Sequence, residues 1–209
     1  MDLAEAMETQ RAIRKLLPDP VDDEVLLRCL RLATKAPTGG NRQGVEFLLV
    51  RDDRKKAALG RLYRIAWSVY GGAGRLLYGR REQQRKIMDA VDWQLAHWQK
   101  IPVLVVVCLR GLPLPFPSVA RTARYGSVYP AIQNFLLAAR AEGLGAALTT
   151  LPLWSRIAVH RVLDIPWSVE PVAVIPVGWP RGRYGPTSRR AVERSIHVDR
   201  YGNRPFESR

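Results

Sequence analysis

The run Ile101 to Leu109 is the longest apolar stretch in the chain, and it constrains the fold more than any other feature. It is far short of the ~20 residues that a membrane helix needs, and its valines favour extended backbone. A strand apolar at nearly every position must be covered on both faces, so Pro102 to Leu109 predicts a central strand between two helical layers.

The flanking sequence supplies those layers. A first helix is expected over about Leu3 to Arg14, stopping near Pro18 and Pro20. Asp22 is a candidate cap for a second helix, where Val25, Leu26, Cys29, Leu30 and Ala33 form one apolar stripe that ends at Pro37. Val45 to Val50 reads as a strand. Residues 54–78 read as helical pieces broken by Gly71, Gly72 and Gly74, with Trp67, Tyr70 and Tyr78 among them. Ile87, Val91, Leu95 and Trp98 recur at helical spacing. A core helix is expected from about Ser127 to Gly143, a short strand over about Ala146 to Thr149, and a helix over Ser155 to Leu163. Val169 to Gly178 reads as a strand made irregular by Pro171 and Pro176. The chain is therefore α+β. Its 209 residues suit a single domain, 1–209, which at this size buries roughly 70% of its unfolded surface.

Several chemistries find no support. Cys29 and Cys108 are too few for a disulfide framework and read as buried, which suits a reducing cytoplasm. The amino terminus lacks the basic and apolar regions of a signal peptide, so a soluble cytoplasmic protein is expected. His97, His160 and His197 are too dispersed for a metal site, and no phosphate loop, dinucleotide fingerprint or nucleophile elbow is present. An enzyme of this composition needs a bound cofactor to supply reactivity. The net charge of +14 suits nucleic acid or anionic small molecules. The arginines are dispersed and no helix-turn-helix or RNA-binding motif accompanies them, so a nucleic-acid partner is not expected.

Two segments stand out. Arg11 and Arg14, three apart at an expected helix end, would project from one face and grip a phosphate, although paired arginines more often sit in solvent. In Ala36-Pro-Thr-Gly-Gly-Asn-Arg-Gln43, Gly39 and Gly40 let the backbone approach a ligand, while Asn41 and Gln43 offer amides to a heteroaromatic edge. An ordinary helix-to-strand turn accounts for the same residues.

The order of these pieces resembles the nitroreductase family. The likeness rests on Arg11-Ala-Ile-Arg14, Pro20-Val-Asp-Asp-Glu-Val-Leu26, Ala33 to Gln43, Ala131 to Gly145, Val177-Gly-Trp-Pro180 and Ser188-Arg-Arg190, and spans about Arg11 to Tyr201. It implies a central, mainly antiparallel sheet flanked by helices, a variable helical insertion over about 54–100 and an extended carboxy-terminal arm over about 180–209. It further implies a homodimer with FMN at the subunit interface, each partner contributing to both sites. Arg11 and Arg14, with Ala12 between them, would hold the FMN phosphate. Pro37, Thr38, Gly39, Gly40, Asn41 and Gln43 would lie along the flavin, and Leu148, Thr149 and Thr150 would approach its ring with backbone groups. Arg189, or its neighbour Arg190, would return to the phosphate.

The implied activity is hydride transfer from NADH or NADPH to FMN and on to a nitroaromatic, a quinone or a similar electron-poor small molecule, with no catalytic acid or base from the protein. The Trp and Tyr residues of 63–98 are candidates to line the slot above the ring, or else core. Gln10 and Ala12 replace residues that often contact the phosphate, and Gly44-Val45 replaces Pro-Trp beside the pocket. That change leaves flavin storage or a specialised dehydrogenation as alternatives.

Overall fold

The computed structural model describes residues 1–78, 81–111 and 118–207. The expected central strand is β2 (Val103–Arg110). It pairs antiparallel with β1 (Val45–Val50) on one side and β4 (Val169–Gly178) on the other, and β3 (Gly145–Ala146) pairs antiparallel with the far edge of β4. The strand order is thus β1-β2-β4-β3, with Val106 opposite both Leu48 and Val174.

Side-chain alternation along β2 feeds two cores. Val103, Val105, Val107 and Leu109 meet Leu26, Cys29 and Ala33 of α2 (Asp23–Ala33) and Ile132 and Phe135 of α5 (Ser118–Ala141). Leu104, Val106 and Cys108 meet Leu59 and Tyr63 of α3 (Asp53–Tyr78), Val91 and Leu95 of α4 (Glu82–Ala96), and Val159 and Leu163 of α6 (Arg156–Leu163). Each fully buried side chain of this kind contributes about 1.5–3 kcal/mol, against about 0–1 kcal/mol for a surface ion pair. The apolar strand, not the abundant surface charge, therefore organises the fold.

Pro171 acts as expected: lacking an N–H, it interrupts the ladder, and the register slips from Val107 opposite Ala173 to Cys108 opposite Pro171.

Four elements depart from the sequence reading. The first helix, α1 (Leu3–Thr9), stops well before Arg14, because beyond the extended Gln10 the backbone bonds to distant segments instead, Ile13 to Ala146 and Leu16 to Pro180. Residues 53–78 form one continuous helix, not broken pieces. Two of its glycines are packing sites: a Cβ at Gly60 would stand 2.6 Å from Trp98 Cδ1, and one at Gly71 would stand 2.8 Å from the Trp67 ring of the preceding turn, whereas one at Gly72 would meet nothing within 4 Å. Tertiary packing thus offsets the helix penalty of about 1 kcal/mol per glycine. Helix α5 begins at Ser118 and carries Pro130 inside it. The short strand ends at Ala146, and Thr149 makes only an isolated bridge to Val174.

Beyond Trp179 the chain runs back beside the amino-terminal segment as an arm. Leu17 N donates to Trp179 O (2.8 Å), Arg181 N to Lys15 O (2.9 Å) and Thr187 N to Glu8 O (2.9 Å). The Tyr184 hydroxyl donates to Leu144 O, and the Arg140 guanidinium lies 4.1 Å from the Tyr184 ring centre. No described helix is long and apolar enough to cross a membrane.

Candidate active site

Ile13 N donates to Ala146 O (3.0 Å), and Leu16 bridges to Pro180. Both side chains lie over Gly145, where a Cβ would come within 2.8 Å of Ile13 Cγ2 and 2.7 Å of Leu16 Cδ2. Glycine at 145 therefore lets residues 10–17 dock against the sheet edge. Arg11 and Arg14 reach their place as part of this strand-like segment, not as neighbours on a helix face.

Between that segment and the arm lies a cavity of about 580 Å³. Arg11, Ala12, Arg14, Leu148 and Arg189, all expected at a binding site, line it, together with Gln10, Leu136 of α5, Ala147 and Pro186 to Ser188. Gln83 and Ile87 complete it from α4. Sequence reasoning missed these two, because 54–100 matched no motif; their i, i+4 spacing was the one available signal.

The electrostatics of the cavity are those of an anion site. Arg14 is half-buried, and burial pulls its guanidinium below the ordinary arginine value, with Tyr63 acting in the opposite sense. Burial likewise pushes the Tyr63 hydroxyl up, against the effects of a hydrogen bond with Thr149 and the Arg14 charge. Elsewhere arginines meet carboxylates, as Arg28 meets Glu142 at 2.9 Å and Arg124 meets Glu170 at 3.1 Å. Among the described residues no carboxylate pairs with Arg11, Arg14 or Arg189. A desolvated cation without a counter-ion is costly, which makes Arg14, with the exposed Arg11 and Arg189 lining the same cavity, a candidate anion contact.

The loop of Pro37, Thr38, Gly39, Gly40, Asn41 and Gln43 does not line this cavity. Gly39 N donates to Ser127 Oγ (3.1 Å) on α5, nine residues and about 13 Å along the helix from Leu136. Gly40, Asn41 and Gln43 hold positive φ of 59°, 52° and 48°. Gln43 N donates to Thr38 Oγ1 (3.1 Å), which closes the loop on itself. Thr149 and Arg190 adjoin lining residues, but neither they nor Thr150 are among them.

Among the described residues no Trp or Tyr of 63–98 lines the cavity. Tyr63 and Trp98 are core residues in edge-to-face contact, with ring centres 5.2 Å apart. The Trp67 indole donates to Asp92 Oδ1 (2.7 Å), and Tyr70 meets Trp154 edge-on at 6.2 Å on the surface. The Tyr78 side chain lies outside the described residues. No cluster of three or more His, Cys, Asp or Glu suited to a metal occurs among the described residues.

A helix-flanked antiparallel sheet with an arginine-lined cavity at its edge defines the class, the FMN-dependent oxidoreductases. The chain belongs to the nitroreductase family, whose family model matches residues 7–179. It is 31% identical over 178 residues to 5,6-dimethylbenzimidazole synthase from Rhodospirillum rubrum, covering 82% of this chain and 79% of that one. Its fold matches an oxidized iodotyrosine deiodinase bound to FMN and 3-iodo-L-tyrosine, with TM-score 0.68 and 22% identity over 97% of this chain and 100% of that one. It also matches nitroreductase A from Vibrio parahaemolyticus, with TM-score 0.73 and 17% identity over 97% and 78% of the two chains.

Proposed function

We propose that this protein is an NAD(P)H oxidoreductase that reduces nitroaromatic, quinone or related electron-poor acceptors through FMN, working as a homodimer with FMN at the subunit boundary. The half-burial of Arg14 without a carboxylate, beside Arg11 and Arg189 in one cavity, carries this reading. Those three guanidinium groups hold the phosphate, and the backbone from Leu148 to Thr150 leads away from it toward the ring position. Bound FMN supplies the capacity to accept a hydride and pass on electrons. The protein's share is placement, since no acid or base is poised in the cavity.

The separation of Pro37 to Gln43 from the cavity within one chain supports the second copy. An apolar groove of about 320 Å³ between α1, the end of α2 and α5 includes Leu32 and Lys35, which lead directly into that loop. Self-association across this groove brings the partner's loop toward the ring, with Asn41 and Gln43 offering amide groups.

The test is spectroscopic and kinetic. Purified protein is expected to be yellow and to oxidise NADH or NADPH with nitrofurazone or menadione. A colourless protein that takes up no added FMN would overturn the reading. A second reading, a specialised reaction on the same fold, is favoured by the likeness to the R. rubrum synthase and by Gly44, whose backbone leaves room for a Cβ. Stoichiometric FMN with no turnover of either acceptor removes the first reading and leaves this one or flavin storage.

A further inference from the structure

The charge beside the cavity exceeds what one phosphate uses. Between Pro180 and Ala191 the arm carries Arg181, Arg183, Arg189 and Arg190 and no carboxylate. The segment hydrogen-bonded to it, from Gln10 to Pro18, carries Arg11, Arg14 and Lys15 and again no carboxylate; Glu8, Asp19 and Glu193 stand only at the outer ends. Three arginines line the cavity and match a phosphate dianion. Lys15, Arg181, Arg183 and Arg190 are left over, and none of the four pairs with a carboxylate among the described residues. Further along the arm, Arg194 and Arg204 both meet Glu207.

One surplus arginine lies beside an aromatic ring. The Arg181 guanidinium lies 5.9 Å from the centre of the Trp93 ring, and Trp93 in turn stacks on His97 at 3.9 Å and 11°. A guanidinium near an aromatic ring keeps its N–H groups for contact with an oxyanion. Trp93 stands six residues, about 9 Å, along α4 from the cavity residue Ile87, roughly one screening length at physiological salt. Arg183 lies between Arg181 and the lining residue Pro186.

Resting on the function proposed above, we infer that Arg181 and Arg183 form a second anion subsite on the cavity rim, which takes the 2′-phosphate of NADPH and makes that nucleotide the preferred electron donor. NADPH and NADH differ by that one phosphate, so a rim with unmatched cations separates them, whereas a neutral rim would not.

The experiment measures binding of 2′,5′-ADP and of 5′-AMP to the FMN-loaded protein by calorimetry. The bisphosphate is expected to bind at least about tenfold more tightly, the change that a single charge-assisted contact supplies. In Arg181→Gln/Arg183→Gln the two affinities should converge, and in the parent protein the gap should narrow with added salt. Equal affinities in the parent protein, or a gap that survives the double substitution, overturn the inference. Visible absorbance of the same samples keeps the two claims apart: a yellow protein with equal affinities sinks the subsite alone, while failure to take up FMN sinks the function beneath it.

Discussion

The Gln43 side-chain amide donates to Asn41 Oδ1 at 3.1 Å while both residues hold left-handed backbone conformations. Left-handed backbone costs a non-glycine residue roughly 1–2 kcal/mol, least for Asn, so the loop holds local strain that the Thr38 and Ser127 hydrogen bonds keep in place. Asn41→Ala removes both the acceptor and the tolerance for positive φ, and is expected to lower stability by about 1 kcal/mol and weaken FMN retention. Asn41→Gly restores the backbone alone. Thermal melts should therefore recover in Asn41→Gly while flavin content does not; recovery of both would assign the Asn41 amide no part in binding.

Arg14 predicts an opposition between stability and binding. Arg14→Met replaces a half-buried, uncompensated cation with an apolar chain of similar length, so the FMN-free protein should gain about 1 kcal/mol. The same substitution should strip FMN during purification. Melts of the FMN-free protein and absorbance ratios near 450 and 280 nm check the two halves independently.

Gly60 is fixed by packing, not by backbone conformation. In Gly60→Ala the new Cβ would stand 2.6 Å from Trp98 Cδ1, and that ring is fully buried, bound to Lys56 O through its indole N–H. Overpacking of this kind costs about 1–3 kcal/mol. A drop in melting temperature with unchanged flavin affinity is expected. An unchanged melt would mean that Trp98 has room to move.

The buried thiols set an alkaline limit. Burial pushes Cys29 up to about 11 and Cys108 up to about 12, from an ordinary value near 9. The unfolded chain thus ionises first, and stability intact below pH 9 is lost as pH rises toward 11 and 12, by about 1.4 kcal/mol per pH unit for each thiol. Denaturant titrations at pH 8 and pH 10.5 should show the loss, and Cys29→Ala/Cys108→Ala should reduce it. At pH 8 a disulfide reagent should label neither thiol until the protein is unfolded.

Leu32 tests self-association. It is 54% exposed in the single chain and borders the apolar groove. Leu32→Arg sets like charges against each other across a dimer and should yield a monomer by sedimentation that also retains less FMN. A dimeric, fully yellow variant would place the subunit contact elsewhere.

Much of the fold was legible because its signals are local. Val103 to Arg110, Val45 to Val50 and Val169 to Gly178 announce themselves by β-branched apolar runs, and Asp23 to Ala33 by its stripe. What misled was local as well: the glycines of α3 weaken a helix in isolation, and Ala12 and Ile13 permit one. Their outcome depends on Trp98 and the edge of β3, partners distant in sequence.

The amino-acid sequence by itself determined the two-faced central strand, the α+β class and the family's ordered motifs, because periodicity and turn chemistry act between neighbours. Only the tertiary structure decided that residues 10–17 run as an extended segment bonded to the arm and to Ala146, that Gln83 and Ile87 join Arg11, Arg14 and Arg189 around one cavity, and that Pro37 to Gln43 stands away from it. Those relations depend on which surfaces pack together, and packing between distant segments leaves no period in the chain to read.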